Sequence, residues 1–447
     1  MLGNIIIQPS IFKAFIATLI YTIISSFFYP FSWYLFINIA TFLLMCVGYF
    51  DSKIIGVSLR NLTLLAFFIF ILLFPAIEYY NQILYWDRSF KILSVYTVTL
   101  LISLLWLCIY LATWFLTARN LNLKARKISV ESKKTNLRLG HLLIFLLSCI
   151  STYIVLVFSD FQWFNLIFRE KTSLNVEIST TSSLIFNNAI VPMAAISTLV
   201  LIARNSKPYL IFLSILLLMI SSFPTALARF QAAQIYLALL LFMVPPLFYK
   251  RYLFDFIILI GLVFIFPILD LFRFYDPANG FQDKNFNFGW LRDGHFDSFQ
   301  NFAALVYRDI QMMPEQFMGV MLFFIPRSFW PDKPIHSGAV LAKEENMVFD
   351  NIAMNFIGEG FITGGTFGVI LFAVFFGIIT AWCDIKIRSI NMSQSVHCVS
   401  YILFCTTIFF FFRGALMSSY AYLLSALFIA FLLTQLSKLT WEERDYQ

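Results

Sequence analysis

Charge is scarce in this sequence. Of its 447 residues, 12% are Asp, Glu, Lys or Arg and 60% are hydrophobic. A soluble domain carries roughly 25% charged residues. A chain this poor in charge cannot cover a water-facing surface, so a soluble globular protein is excluded and lipid becomes the solvent. Cysteine is the second scarcity. Cys46, Cys108, Cys149, Cys383, Cys398 and Cys405 all lie in or beside apolar runs, and none forms a CxxC pair. They read as small buried hydrophobes, which excludes a disulfide or zinc framework. No DxD or other paired carboxylate has metal-ligand spacing, so neither metal nor cofactor is expected. There is no internal repeat and no low-complexity tail. No small-residue cleavage site follows the first apolar run, so that run is expected to be a retained helix.

Apolar residues in long runs are abundant. Phe alone contributes 55. A membrane-crossing helix needs about 20 apolar residues. Scanning for such runs gives about a dozen, near 11–29, 32–50, 61–81, 92–117, 141–159, 188–204, 209–227, 230–248, 252–272, 361–383, 396–412 and 420–437. The expected fold is therefore all-α, a polytopic transmembrane bundle of about twelve helices. Residues 1–273 supply about nine, 274–360 form one large loop on the non-cytoplasmic side, and 361–447 supply about three.

The net charge of +7 does not point to nucleic acid, because the basic residues are divided among short loops rather than gathered in a stripe. The segment 118–140 carries Arg119, Lys124, Arg126, Lys127, Lys133, Lys134 and Arg138 against the single acid Glu131. By the positive-inside rule it is cytoplasmic. Counting helices outward puts Lys53 and Arg60, Arg204 and Lys207, Lys250 and Arg251, Lys386 and Arg388, and both termini on the same side. The segment 274–360 then faces the other way. It is longer than an ordinary connection, is acidic, and holds apolar stretches near 301–307 and 317–325. These predict short amphipathic helices on the membrane surface or folded over the bundle.

Ionisable residues at membrane depth are costly and mark sites. Arg229, Arg273 and Arg413 all fall at helix ends beside the long loop, where the positive-inside rule does not place arginine. Guanidinium binds phosphate oxygens with two parallel hydrogen bonds and keeps its charge. The cluster suits an anionic lipid-linked phosphate or diphosphate. Pairing of Arg273 with Asp270 or Asp276, and snorkelling of Arg229 and Arg413 to headgroups, suit the same positions. Lys13 and Glu78, near helix ends, read as interfacial anchors. In the loop, FFIPRSFWPDKPIHSG (323–338) brings Arg327, Lys333 and His336 within ten residues. NFIGEGFITGGTFGVILF (355–372) places Glu359 among glycines that permit close approach of backbone or ligand.

These segments resemble the bacterial O-antigen polymerases, the oligosaccharide-repeat-unit polymerases of Wzy type. The matching residues are Ile325-Pro326-Arg327, Trp330-Pro331, Lys333-Pro334, Gly358-Glu359, Gly365, Gly368 and Arg413-Gly414. The likeness in overall plan covers most of the chain, but the motifs cover only about 325–370. The resemblance implies a multi-pass protein of the bacterial inner membrane. It would transfer a growing glycan from undecaprenyl diphosphate to a new lipid-linked repeat unit on the periplasmic face. Its partners would be that lipid-linked oligosaccharide, membrane lipid and a chain-length regulator protein. Arg229, Arg273, Arg327, Arg413 and Lys333 would bind the diphosphate and its developing charge. His336 or Glu359 would take the proton of the acceptor hydroxyl. Trp290, Phe329 and Trp330 suit either sugar stacking or interface anchoring. An O-antigen ligase is the nearest alternative, and a lipid-linked oligosaccharide flippase is the alternative from another class.

The orientation is directly testable. Alkaline phosphatase fused within 122–138 should be inactive in a bacterial host and the same reporter fused within 282–293 active. The opposite pair of results would invert the topology.

Overall fold

The computed structural model describes residues 9–51, 56–86, 88–121, 139–168, 185–273, 275–276, 280–281, 294–312, 314–388 and 396–439. The basic segment 122–138 and much of the acidic one, 282–293 with Trp290, lie outside them. The regular structure of the described chain is helical apart from one antiparallel pair of two-residue strands, Tyr275–Asp276 with Gly280–Phe281.

The long helices in chain order are α1 (Pro9–Phe28), α2 (Trp33–Phe50), α3 (Leu59–Asn81), α4 (Phe90–Asn120), α5 (Leu139–Phe158), α6 (Phe186–Ala203), α7 (Pro208–Ser221), α8 (Arg229–Met243) and α9 (251–273). Three short helices follow, α10 (Ser298–Arg308), α11 (Glu315–Met321) and α12 (Ser337–Glu344). The chain closes with α13 (Phe356–Arg388), α14 (Val396–Arg413) and α15 (Leu416–Leu436). Among the described residues nine helices are long and apolar enough to cross a membrane, and α7, α8 and α14 are shorter apolar helices. Every apolar run of the sequence is a helix, and the protein is a polytopic helical membrane protein. None of the six cysteines is in a disulfide.

The helices divide into two compact units. The first comprises Met1–Leu123, Phe288–Ile385 and Ile408–Tyr420; the second comprises Lys124–Asn287, Lys386–Thr407 and Ala421–Gln447. In the first unit α3 is central, with 72% of its apolar window buried, against 17% for α1. Serine caps fix the starts of α2 and α3, Ser32 accepting from the Leu35 amide and Ser58 from the Asn61 amide. The first two amides of α3, Leu59 and Arg60, also donate to the Asp384 carboxylate at 2.8 and 3.1 Å. Arg60, expected in a loop, is instead fully buried. Its guanidinium pairs with Asp51 at 2.9 Å and lies 4.4 Å from the Trp114 ring centre. Pairing with a carboxylate and a ring face is what permits an arginine there. In the second unit α5, α6 and α7 pack together, joined by hydroxyl bonds such as Thr198 to Ser214 at 2.8 Å and Ser222 to the Val191 carbonyl at 3.0 Å. Small hydroxyls of this kind let apolar helices approach closely.

The element that sets the site is α13. Its helical path is interrupted at Gly364 and at Gly365, whose φ of 57° is the left-handed region that glycine tolerates. The chain reverses there. A Cβ on Gly368 would lie 2.1 Å from the Gly360 carbonyl oxygen, and one on Gly360 would lie 3.1 Å from the Val369 Cα. Residues eight apart in a straight helix are separated by about 12 Å. So 356–363 is a short arm folded back on the long arm 366–388, and backbone meets backbone through two glycines. The long arm alone, at about 1.5 Å per residue, spans about 34 Å, enough for the hydrocarbon core. The apolar-run count placed this helix at 361; it starts at Phe356, because the Asn355 side chain accepts the Gly358 amide at 2.8 Å.

Replacing Gly368 with Ala should therefore lower the melting temperature of the purified protein sharply, a cost of about 3 kcal/mol from overpacking. Gly261, with nothing within 4 Å of its would-be Cβ, is the control and should tolerate Ala. Equal effects at the two positions would refute the folded-back arm.

Candidate functional site

The first unit brings together three segments that are far apart in sequence: the proline-rich loop, the short arm of α13, and the break between α14 and α15. The loop is braced by its own cations. Arg327 donates through Nη1 to the Lys333 carbonyl at 2.5 Å and through Nη2 to the Pro334 carbonyl at 3.3 Å. Lys333 Nζ donates to the carbonyls of Phe323 at 2.6 Å and Ile325 at 2.9 Å. Prolines leave those carbonyls without helical partners, and the long cationic side chains satisfy them. Partial burial and the neighbouring Arg327 charge push the Lys333 ammonium below its ordinary pKa. Arg327 is exposed beside Phe329, which is 83% exposed, while Trp330 is half-buried.

The loop ends at α12. His336 is its N-cap, with Nδ1 accepting the Ala339 amide at 3.1 Å. An accepting Nδ1 carries no proton, so in this arrangement the ring is neutral with its proton on Nε2. Burial pushes its pKa below the ordinary value, with the Asp350 charge opposing. The next residue, Ser337, is fully buried, and its hydroxyl donates to Glu359 Oε1.

Glu359 lies in the short arm of α13 and is 1% exposed. Besides Ser337, its Oε1 accepts the first amide of α15, Leu416 N–H, at 2.7 Å. A carboxylate at a helix N-terminus is favoured by the dipole and by the orphan amide. Arg413, the last residue of α14, stands three residues before Leu416. Its Nε donates to the His295 carbonyl at 3.2 Å, and the Ser298 hydroxyl bonds the adjoining Phe412 carbonyl at 3.1 Å. Of the seven candidate residues, His336, Glu359, Arg327, Lys333 and Arg413 fall in this first unit. Arg229 and Arg273 belong to the second unit. Arg229 opens α8 with its guanidinium 4.3 Å from the Phe266 ring centre. Arg273 ends α9, and its side chain lies outside the described residues.

The apolar stretch near 301–307 is α10, and rather than lying on a surface it is buried from Ser298 to Leu305. Its polar N-terminal end was not legible in the sequence. Asp297 Oδ2 accepts the Trp86 indole N–H at 2.8 Å and the Asn301 amide at 2.9 Å. Asn301 also donates to the Ala353 carbonyl at 2.6 Å, and Asn355 donates to the Ser298 carbonyl at 3.0 Å. Gln300 accepts the Tyr85 amide at 2.7 Å and donates to the Tyr96 hydroxyl at 3.0 Å. That hydroxyl donates to Glu78 Oε2 at 2.8 Å. Glu78 is thus not an interfacial anchor. It is 1% exposed, held inside by Tyr96. A lone carboxylate at a helix end looks like an anchor in sequence, because the tyrosine that bonds it comes from the next helix. Among the described residues no three His, Cys, Asp or Glu side chains group as metal ligands.

No known protein family matches the chain, and no curated protein or solved structure matches it.

His336 gives this region a pH signature. The unfolded chain takes up a proton near the ordinary histidine value of about 6.5. The folded ring resists it, so stability falls as pH drops through that value and levels off below the folded pKa. His336→Asn keeps a cap and should flatten that part of the melting profile between about pH 5 and about pH 8. A variant profile as steep as the wild type's would show that the histidine is not responsible.

Proposed function

We propose that the protein polymerises undecaprenyl-diphosphate-linked oligosaccharide repeat units into a surface polysaccharide, on the periplasmic face of a bacterial inner membrane. The observation that carries this reading is the meeting of Arg413, Glu359 and the braced 323–337 loop within one unit. These are the segments on which the likeness to repeat-unit polymerases rests. An anionic leaving group needs a fixed cation where charge develops, in a partly dry site. Arg413, oriented by the His295 carbonyl at the end of an apolar helix, meets that need. Arg327 and Lys333 contribute positive charge at the loop and hold its shape. The donor's anomeric carbon is attacked by a hydroxyl of the acceptor sugar. The bond to the lipid diphosphate breaks, and the diphosphate leaves with its charge against Arg413. The membrane keeps both lipid-linked substrates in the same plane, so encounter is a search in two dimensions.

Deletion of the gene in its source strain should abolish the ladder of polysaccharide sizes on a gel, leaving core with a single repeat unit. Wild-type protein should restore the ladder, and Arg413→Ala, made to the same level, should not. Long chains retained on the lipid carrier would instead favour the ligase, and repeat units held on the cytoplasmic face would favour the flippase. An unchanged ladder would remove the reading.

A further inference from the structure

We infer that Asp297 is the general base that receives the proton of the acceptor hydroxyl, an assignment that rests on the glycan-transfer reading above. A base must be an oriented group with a free lone pair, near the cation that stabilises the leaving group. Asp297 meets the first two by geometry, and it stands two residues along the chain from the carbonyl that holds Arg413. Its Oδ2 is fixed by two donors, the Trp86 indole at 2.8 Å and the Asn301 amide at 2.9 Å. Its Oδ1 is buried with no hydrogen-bond partner among the described residues. Nearly all buried polar atoms are paired, so an unpaired carboxylate oxygen beside a fixed one points to a missing donor. A sugar hydroxyl is such a donor. Two residues before it, the His295 carbonyl orients Arg413 at 3.2 Å. One short segment therefore holds both the cation for the diphosphate and the acid that would serve the acceptor.

The two groups expected from the sequence are differently engaged. His336 commits Nδ1 to the α12 cap, and Glu359 Oε1 already accepts from Ser337 and Leu416. Asp297 has charged and titratable neighbours. Glu78, whose Oε1 is likewise buried and unpartnered, lies within electrostatic reach of both Asp297 and Arg88. Tyr96 bonds Glu78, and Arg88 pairs with Glu345 at 2.9 Å, which Arg308 also approaches at 3.3 Å.

Asp297 is 1% exposed, so the acceptor reaches Oδ1 only when its cover moves. Trp86, bonded to the neighbouring Oδ2, is one residue that could move, and its φ of 63° places a bulky residue in the left-handed region. That conformation is strained for anything but glycine, and such strain collects where a segment has a second state. In the step itself, the acceptor oxygen bonds to the anomeric carbon and its proton passes to Asp297 Oδ1. The anomeric carbon–oxygen bond to the diphosphate breaks, and that electron pair leaves on the diphosphate beside Arg413. Asp297 then returns the proton to water.

The test uses full-length protein in proteoliposomes with purified lipid-linked repeat units, following chain growth at varied acceptor concentration. Asp297→Asn keeps size and the Oδ2 position but cannot take a proton. It should lower kcat by about a hundredfold or more while KM, melting temperature and binding of undecaprenyl diphosphate stay near wild type. Trp86→Phe, which keeps the acid and removes one orienting donor, should lower kcat by about tenfold with KM unchanged; it carries the test if the asparagine variant fails to fold. An Asp297→Asn enzyme within about tenfold of wild type would overturn the assignment. So would a loss confined to KM or to folding that Trp86→Phe does not reproduce in kcat. A wild-type protein that makes no chains would remove the glycan-transfer reading and the base with it, which separates that failure from the failure of Asp297 alone.

Discussion

One carboxylate oxygen, Glu359 Oε1, ties three segments of the first unit together. It accepts the Ser337 hydroxyl from the end of the proline-rich loop and the Leu416 amide from the start of the last helix. Its own residue sits in the folded-back arm of α13. A polar group buried in a bundle of this composition is costly unless satisfied, and an orphaned partner costs about 1–3 kcal/mol. Each of the three segments therefore needs the other two. Moving the loop would expose Ser337 and Glu359 together, and moving α15 would strip Leu416 of its cap. The position of Arg413 follows, because only the short Gly414–Ala415 connection separates it from Leu416.

The glycines of α13 make that arrangement sterically possible. Any side chain at Gly368 would meet the Gly360 carbonyl, so the short arm can lie against the long one only where both lack Cβ. The fold-back lays Glu359 beside the start of the long arm and Phe356 against Phe372 and Phe376, while Asp384 lies toward the arm's other end. At the far tip Asp384 receives the first amides of α3, and Arg60 is held by Asp51 and Trp114. Glu359 and Asp384 follow one rule, in which a buried carboxylate is paired with helix-terminal amides.

The loop cations have a double character. Arg327 and Lys333 would be read as ligand-binding groups from sequence, and their heads are in fact bonded to backbone carbonyls of their own loop. That does not remove their charge. It fixes where the charge is, and a fixed charge acts on a developing anion without reorganisation. Arg413 is held in the same way, by the His295 carbonyl. Under the proposed reading, cations fixed in this way would serve the head group of a lipid diphosphate.

Composition and periodicity alone determined that this chain lives in lipid and is helical. Sixty per cent apolar residues in long runs leave no other way to satisfy the backbone. Arg413, Glu359 and His336 also stand out in the sequence as candidates, because charge and glycine are conspicuous against such a background. Tertiary structure alone decided the rest. It turned Glu78 and Arg60 from end residues into buried ones, since their partners Tyr96, Asp51 and Trp114 come from other helices. It also drew Asp297, Gln300 and Asn301 out of an unremarkable stretch into the interior. A sequence records which residues can form a hydrogen bond, but a buried bond between residues tens or hundreds of positions apart exists only once packing has chosen the partner.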